Sequence, residues 1–188
     1  MMRLQGPDDG TAGYQDTLFG GRLTSESVGF RGPTACRAAG ITYRQLDYWA
    51  RTGLVEPSVR PATGSGTQRL YNFRDILVLK IVKRLLDTGV SLNQIRTAVS
   101  HLRQRGVEDL ATVTVMSDGA SVYECTNADE MYDLVQGGQG VFGIAISQVW
   151  REVEGSLAEL PSERSQGANL SAAPPDELAA RRMARRVS

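Results

Sequence analysis

The residues of this sequence best suited to chemistry are arginines rather than nucleophiles. Cys36 and Cys125 lie far apart in no metal-ligand spacing, and His101 is the single histidine. A structural zinc site needs about four ligands, so neither a metal nor any other cofactor is expected. Both cysteines read as free buried thiols. No nucleophile, base and orienting group can be assembled around His101, which falls among arginines, and the chain is expected not to be an enzyme. Gly138-Gln-Gly-Val-Phe-Gly143 fits G-x-G-x-x-G literally. A dinucleotide site also requires a preceding strand and a parallel βαβ unit. Here a predicted helix precedes the glycines, and too little chain follows for the sheet. The segment reads as a structural turn, or as one wall of a ligand or dimer interface.

What remains is recognition of polar partners. The overall charge is zero, but the two signs are segregated. From Arg31 to Arg105 there are thirteen bases against four acids, a net of +9. From Gly106 to Leu160 there is one base, Arg151, against ten acids, a net of −9. A basic half is an electrostatic footprint for phosphate, and the acidic half should face away from it.

These side chains need elements to position them. Thr34 can cap a short helix to Ala39, closed by Gly40. Thr42 with Gln45 three residues on has the pattern of a capping box, opening a second helix through Leu46 and Trp49 that ends before Gly53. Two short helices with a tight glycine-bearing turn make a helix-turn-helix. From Leu54 to Leu70, Pro57, Pro61, Gly64 and Gly66 forbid a helix and favour a hairpin or loop. Asn72 then caps an apolar helix from Phe73 to Thr88, ended by Gly89. Ser91 with Gln94 opens another, with Leu92, Ile95, Val99 and Leu102 on one side, ending at Gly106.

Beyond Gly106 the pattern changes. Thr112–Met116 and Ser121–Cys125 are β-prone runs joined through Asp118-Gly119, a hairpin signal. Asn127 caps a short helix to Val135. The apolar run Val141–Ile146 and a helix from about Ser147 to Leu160 complete a small α+β unit, which at this size should pack on the first domain or on a second copy. The fold class is therefore mainly α with small β: an N-terminal winged helix-turn-helix followed by a small α+β C-terminal domain. The expected divisions are a disordered arm (1–29), a DNA-binding domain (30–105), a dimerisation or effector domain (106–160) and a flexible tail (161–188). No apolar run approaches the ~18–20 residues that span a bilayer, and nothing at the N-terminus reads as a signal peptide. The cytoplasm is the expected location.

An α-helix fits the DNA major groove and reads base edges with its N-terminal side chains. That nominates Tyr43 and Arg44, with Gln45 shared between capping and readout. Arg44 carries the planar fork that can engage a guanine edge. Tyr48, Arg51, Arg60, Arg69 and Tyr71 are assigned to phosphate and sugar, which position a protein without specifying sequence. Thr42 and Gln68 complete the candidate set. Leu46 and Trp49, by their spacing, belong to the core. Tyr43 as a surface aromatic without a role stays open. Arg74, Lys80, Lys83 and Arg84 read equally well as a solvated helix face.

The run Gly40-Ile-Thr-Tyr-Arg-Gln-Leu-Asp-Tyr-Trp-Ala-Arg-Thr-Gly-Leu-Val-Glu-Pro57 resembles the second helix of the MerR family of bacterial transcription regulators. Arg69-Leu-Tyr71 with Phe73-Arg-Asp-Ile76 resembles the family's wing and the helix after it. Thr88-Gly-Val-Ser-Leu-Asn-Gln-Ile95 resembles its fourth helix. The three motifs stand in the family's order within residues 34–103, and the wording is similar to an actinobacterial subgroup. The resemblance implies a homodimer on a pseudo-palindromic site of double-stranded DNA, with Arg60 and Arg69 in the wing. It also implies a promoter bent or untwisted to change access by RNA polymerase. Asp47 and Trp49 stand where the family usually has Arg and Tyr. A carboxylate cannot bind phosphate, so Asp47 should hold a neighbouring arginine or turn to solvent. The family's long dimerising helix is interrupted at Gly106, and the cysteine pair of its metal-sensing branch is absent. The acidic unit would supply dimerisation, binding of a small-molecule effector, or both. Two other readings are an architectural or excisionase-like DNA-bending protein, and a ligand-binding protein whose basic half meets an acidic partner protein.

Overall fold

In the computed structural model the described residues are 26–62, 67–136 and 141–164. The N-terminal arm up to residue 25, the wing glycines Gly64 and Gly66, and the tail from residue 165 lie outside them. Of the G-x-G-x-x-G motif, only Val141 to Gly143 is described.

Strand β1 (Val28–Arg31) leads directly into helix α1 (Gly32–Ala39). Val28 and Gly29, assigned to the arm from sequence, thus begin a strand. The helix also starts earlier than expected. Pro33 occupies its first turn, where a missing N–H costs nothing, and Thr34 is buried within it rather than capping it. Gly40 closes α1 at φ +72°, a left-handed conformation that glycine adopts without penalty.

Helix α2 (Tyr43–Arg51) has the reciprocal cap its sequence foretells. Gln45 N donates to Thr42 Oγ1 at 3.2 Å, and Thr42 N donates to Gln45 Oε1 at 2.9 Å. Leu46 and Trp49 are its buried residues. The chain then crosses to β2 (Leu70–Tyr71), with Arg60 bridging Leu70 on the way. Helix α3 (Phe73–Asp87) opens on a second reciprocal cap, between Asn72 and Asp75, and is buried along most of its length. Helix α4 (Leu92–Gln104) is capped by Ser91, but only one way: Gln94 N donates to Ser91 Oγ at 3.4 Å. The Gln94 side chain instead donates to the carbonyl of Ala120 in the C-terminal half.

After a single turn, α5 (Val107–Leu110), β3 (Thr114–Ser117) and β4 (Val122–Cys125) form the expected hairpin around Gly119 at φ +87°. Helix α6 (Ala128–Gln136) follows, then β5 (Phe142–Ala145), helix α7 (Ile146–Ala158) and the two-residue β6 (Glu163–Arg164). Two antiparallel sheets result, ordered β2-β1-β6 and β4-β3-β5. Gly143 lies in β5 opposite Met116 in an antiparallel ladder, which is not the parallel setting a dinucleotide motif requires.

The buried residues form one cluster that runs from Val28 and Phe30 through α1 to α4 and on to Val115, Ile144, Val149, Trp150 and Leu157. Helix α7 returns across the first half of the chain to pack on α3. Trp150 meets Phe73 there, ring centroids 4.7 Å apart and planes tilted by 55°, a favoured aromatic geometry. The electrical division at residue 105 is therefore not a division of the core. Among the described residues no helix is long and apolar enough to cross a membrane, and no group of three His, Cys, Asp or Glu could hold a metal ion.

Candidate nucleic-acid interface

Burying Leu46 and Trp49 turns the opposite side of α2 outward. Thr42, Tyr43, Arg44, Tyr48 and Arg51 are exposed there, Tyr43 to 61% and Tyr48 to 45%. Arg44, Tyr48 and Arg51 follow the four-then-three spacing that keeps residues on one helical face. Gln45 is half-buried and its amide oxygen is taken by Thr42. Its capping duty is thus realised in the structure.

Asp47 holds two neighbouring arginines. Its Oδ1 accepts from Arg69 Nη1 at 2.9 Å, and its Oδ2 lies 2.9 Å from Arg51 Nε one turn along the helix. The hydrogen bond from Arg69 holds the Asp47 carboxyl below the usual carboxylate range, with Arg51 adding to the effect. The same contact raises Arg69 further. Asp47 thus fastens the segment just before β2 to the exposed helix. Arg51 and Arg69 reach any phosphate already paired with a carboxylate.

Tyr71 departs from its assignment. It is completely buried, and burial pushes its hydroxyl up to about 12. The cause is strand alternation. Tyr71 pairs with Phe30, itself fully buried, so both rings turn inward. Tyr71 cannot touch a phosphate or sugar from there. Arg60 donates through Nε to the carbonyl of Gln68 at 3.0 Å, and Gln68 is exposed beside it.

Other cations of the basic half have structural partners. Arg74 donates to the carbonyls of Leu102, Arg103 and Arg105, which end α4. Lys80 and Arg84 both pair with Glu152 on α7, at 3.3 and 2.6 Å, and Lys83 pairs with Asp87. Arg105 pairs with Glu124 at 2.9 Å. The acidic half therefore does not simply face away: part of it neutralises the basic half from within. Arg37 on α1 and Arg44 on α2 are exposed and make no hydrogen bond or ion pair among the described residues.

Two residues that the sequence reading left without a role secure the far end of α2. Arg96 Nη1 donates to the carbonyl of Thr52 at 3.0 Å, and Arg103 Nη2 to that of Leu54 at 3.0 Å. Both donors come from α4. Carbonyls at a helix C-terminus lack intrahelical donors, and a guanidinium there also complements the helix dipole. The spacing of Arg96 and Arg103, two turns apart on one helix, was the available sign. Their targets are set only by the tertiary fold.

Proteins similar to this chain point the same way as the geometry. Residues 30–102 match the family model of the MerR HTH family regulatory protein, a span from β1 through nearly all of α4. HTH-type transcriptional regulators of Mycobacterium tuberculosis and Mycobacterium bovis are 68% identical over 160 residues, covering 85% of this chain and 71% of their own length. That similarity extends well beyond the helix-turn-helix into the acidic unit. The HTH-type transcriptional regulator HmrR of Sinorhizobium medicae is 30% identical over 71 residues, 38% of this chain and 46% of that protein.

Proposed function

Since this chain belongs to the MerR family of helix-turn-helix transcriptional regulators, which bind DNA, we propose that it binds a pseudo-palindromic promoter site as a homodimer, each protomer laying α2 in a major groove. The observation that carries this reading is the outward face of α2. Its first turn offers Tyr43 and Arg44, which has no ion pair among the described residues, and Asp47 and Arg69 lash the chain just before β2 beside it. Arg44 reads a base edge, worth ~1–3 kcal/mol of discrimination if bidentate to guanine. Thr42, Gln45, Tyr48, Arg51, Arg60, Gln68 and Arg69 position the helix, through phosphate contacts or by holding its cap and wing. Residues 30–105 act as the DNA reader, and residues 106–160 supply dimerisation, effector binding or both. The protein works in the cytoplasm and alters promoter access by RNA polymerase, with no enzymatic step.

Nuclease footprinting on genomic fragments tests this. Protection of dyad-related bases one helical turn or a multiple apart is the expected result. A footprint without a dyad removes the dimer, and no protection on any fragment removes the whole reading. Transcription with purified RNA polymerase distinguishes a regulator from a protein that only bends DNA.

A further inference from the structure

On the outer face of the sheet β2-β1-β6 one carboxylate sits between two guanidinium groups. The register places Arg31 and Arg60 each opposite Leu70, and Glu163 opposite Gly29 two residues before Arg31. Directly opposed residues of antiparallel strands share a face, so Arg31, Arg60 and Glu163 gather on one side. Glu163 Oε1 accepts from Arg31 Nε, while its Oε2 lies 3.8 Å from Arg60 Nη2. All three side chains remain substantially exposed, at 54%, 47% and 35%. The two arginines also border a recess with Thr67 and Gln68, at the described edge of the wing. Leu70 and Val59 close over Gly29 on this side, where a Cβ would meet Leu70 Cβ at 3.0 Å.

A carboxylate shared by two exposed guanidiniums is the arrangement in which a phosphate could take its place. The carboxylate belongs to a strand of only two residues, so little holds it against a competing anion. We propose that Arg31 and Arg60 form a DNA-phosphate site, and that Glu163 occupies it in the free protein as an internal competitor. Phosphate displaces the carboxylate only where base contacts hold the wing against the backbone; on arbitrary DNA the carboxylate keeps the site. Glu163 thereby lowers affinity for arbitrary DNA, where base contacts cannot compensate. This inference rests on the reading that the wing borders DNA, and it adds a phosphate ligand, Arg31, and a gate, Glu163, to that reading.

The experiment titrates full-length protein against a fluorescein-labelled duplex of arbitrary sequence, roughly one footprint long, over a salt series. Glu163→Gln keeps the shape and removes the charge. It should tighten binding on the order of 10-fold at low salt and steepen the log–log salt slope by about 0.9, the value for one added phosphate contact. In the Arg31→Met background the same change should leave affinity and slope nearly unmoved. Equal tightening with and without Arg31, or no change on Glu163→Gln, overturns the competitor site while leaving wing binding intact. A wild-type chain that binds no duplex at any salt overturns both.

Discussion

Arg44 stands in the first turn of α2 with no hydrogen bond or ion pair among the described residues, whereas Arg69 is committed to Asp47. The two should fail differently. Arg44→Ala is expected to flatten sequence preference by ~1–3 kcal/mol at one base pair while sparing binding to arbitrary DNA. Arg69→Ala should weaken binding to all sequences alike, because it frees the chain just before β2 from α2. Affinities measured across single-base variants of the site would separate them, and parallel losses would refute the division. Asp47→Asn should resemble Arg69→Ala rather than gain affinity, although it removes a negative charge from beside the exposed face of α2. The pH dependence follows from the lowered Asp47 carboxyl. Its stabilising contact is complete above the ordinary carboxylate range and disappears only as pH falls through the depressed folded value. Wing attachment, followed by exchange protection of the Leu70 amide, should therefore survive mild acidification. Asp47 shows how far residue types alone reach. The sequence offered a choice between solvent and a neighbouring arginine, and the fold supplies two arginines, one of them 22 residues along the chain, just before β2.

Helix boundaries were legible where local chemistry decides them. Thr42 with Gln45, Asn72 ahead of α3, and the glycines after α1, α2 and α3 act over three or four residues, and the structure places each where the spacing requires. Removing one such device has a predictable cost. Thr42→Ala should lower unfolding free energy by about 1 kcal/mol and loosen the very turn that carries Tyr43 and Arg44, measurable by denaturant titration. Leu46→Ala, which empties a buried site between helices, should cost about 2–5 kcal/mol. What spacing could not reveal is interaction between distant elements. Ser91 and Gln94 match a capping box, yet the Gln94 side chain is diverted to Ala120, because a hairpin packs where its return bond would form. Tyr71 reads as a surface polar aromatic, yet its strand register turns it inward opposite Phe30. Thr34 reads as a cap, yet Pro33 starts the helix before it. Each departure arises where packing overrides a local preference.

At the scale of the whole chain, α7 and its neighbours close the core of the N-terminal helices. Trp49 and Trp150 both sit in the continuous buried cluster, on either side of the charge boundary. A two-state transition is then expected: in each of the Trp49→Phe and Trp150→Phe variants, fluorescence of the remaining indole and far-UV circular dichroism should give superimposable melts. Separated curves would mean that the halves unfold independently. Opposite charges reinforce the union, with Glu152 gripping Lys80 and Arg84, and Glu124 gripping Arg105, although exposed pairs of this kind contribute little individually. The charge count was visible in sequence; its partial cancellation inside the molecule was not, because it depends on which faces meet. The contact between Trp150 and Phe73 also constrains engineering. A chimera that grafts the first 105 residues onto another regulator's sensor must bring its own bulky plug for the hollow beside Phe73, or the transplanted reader will arrive with a hole in it.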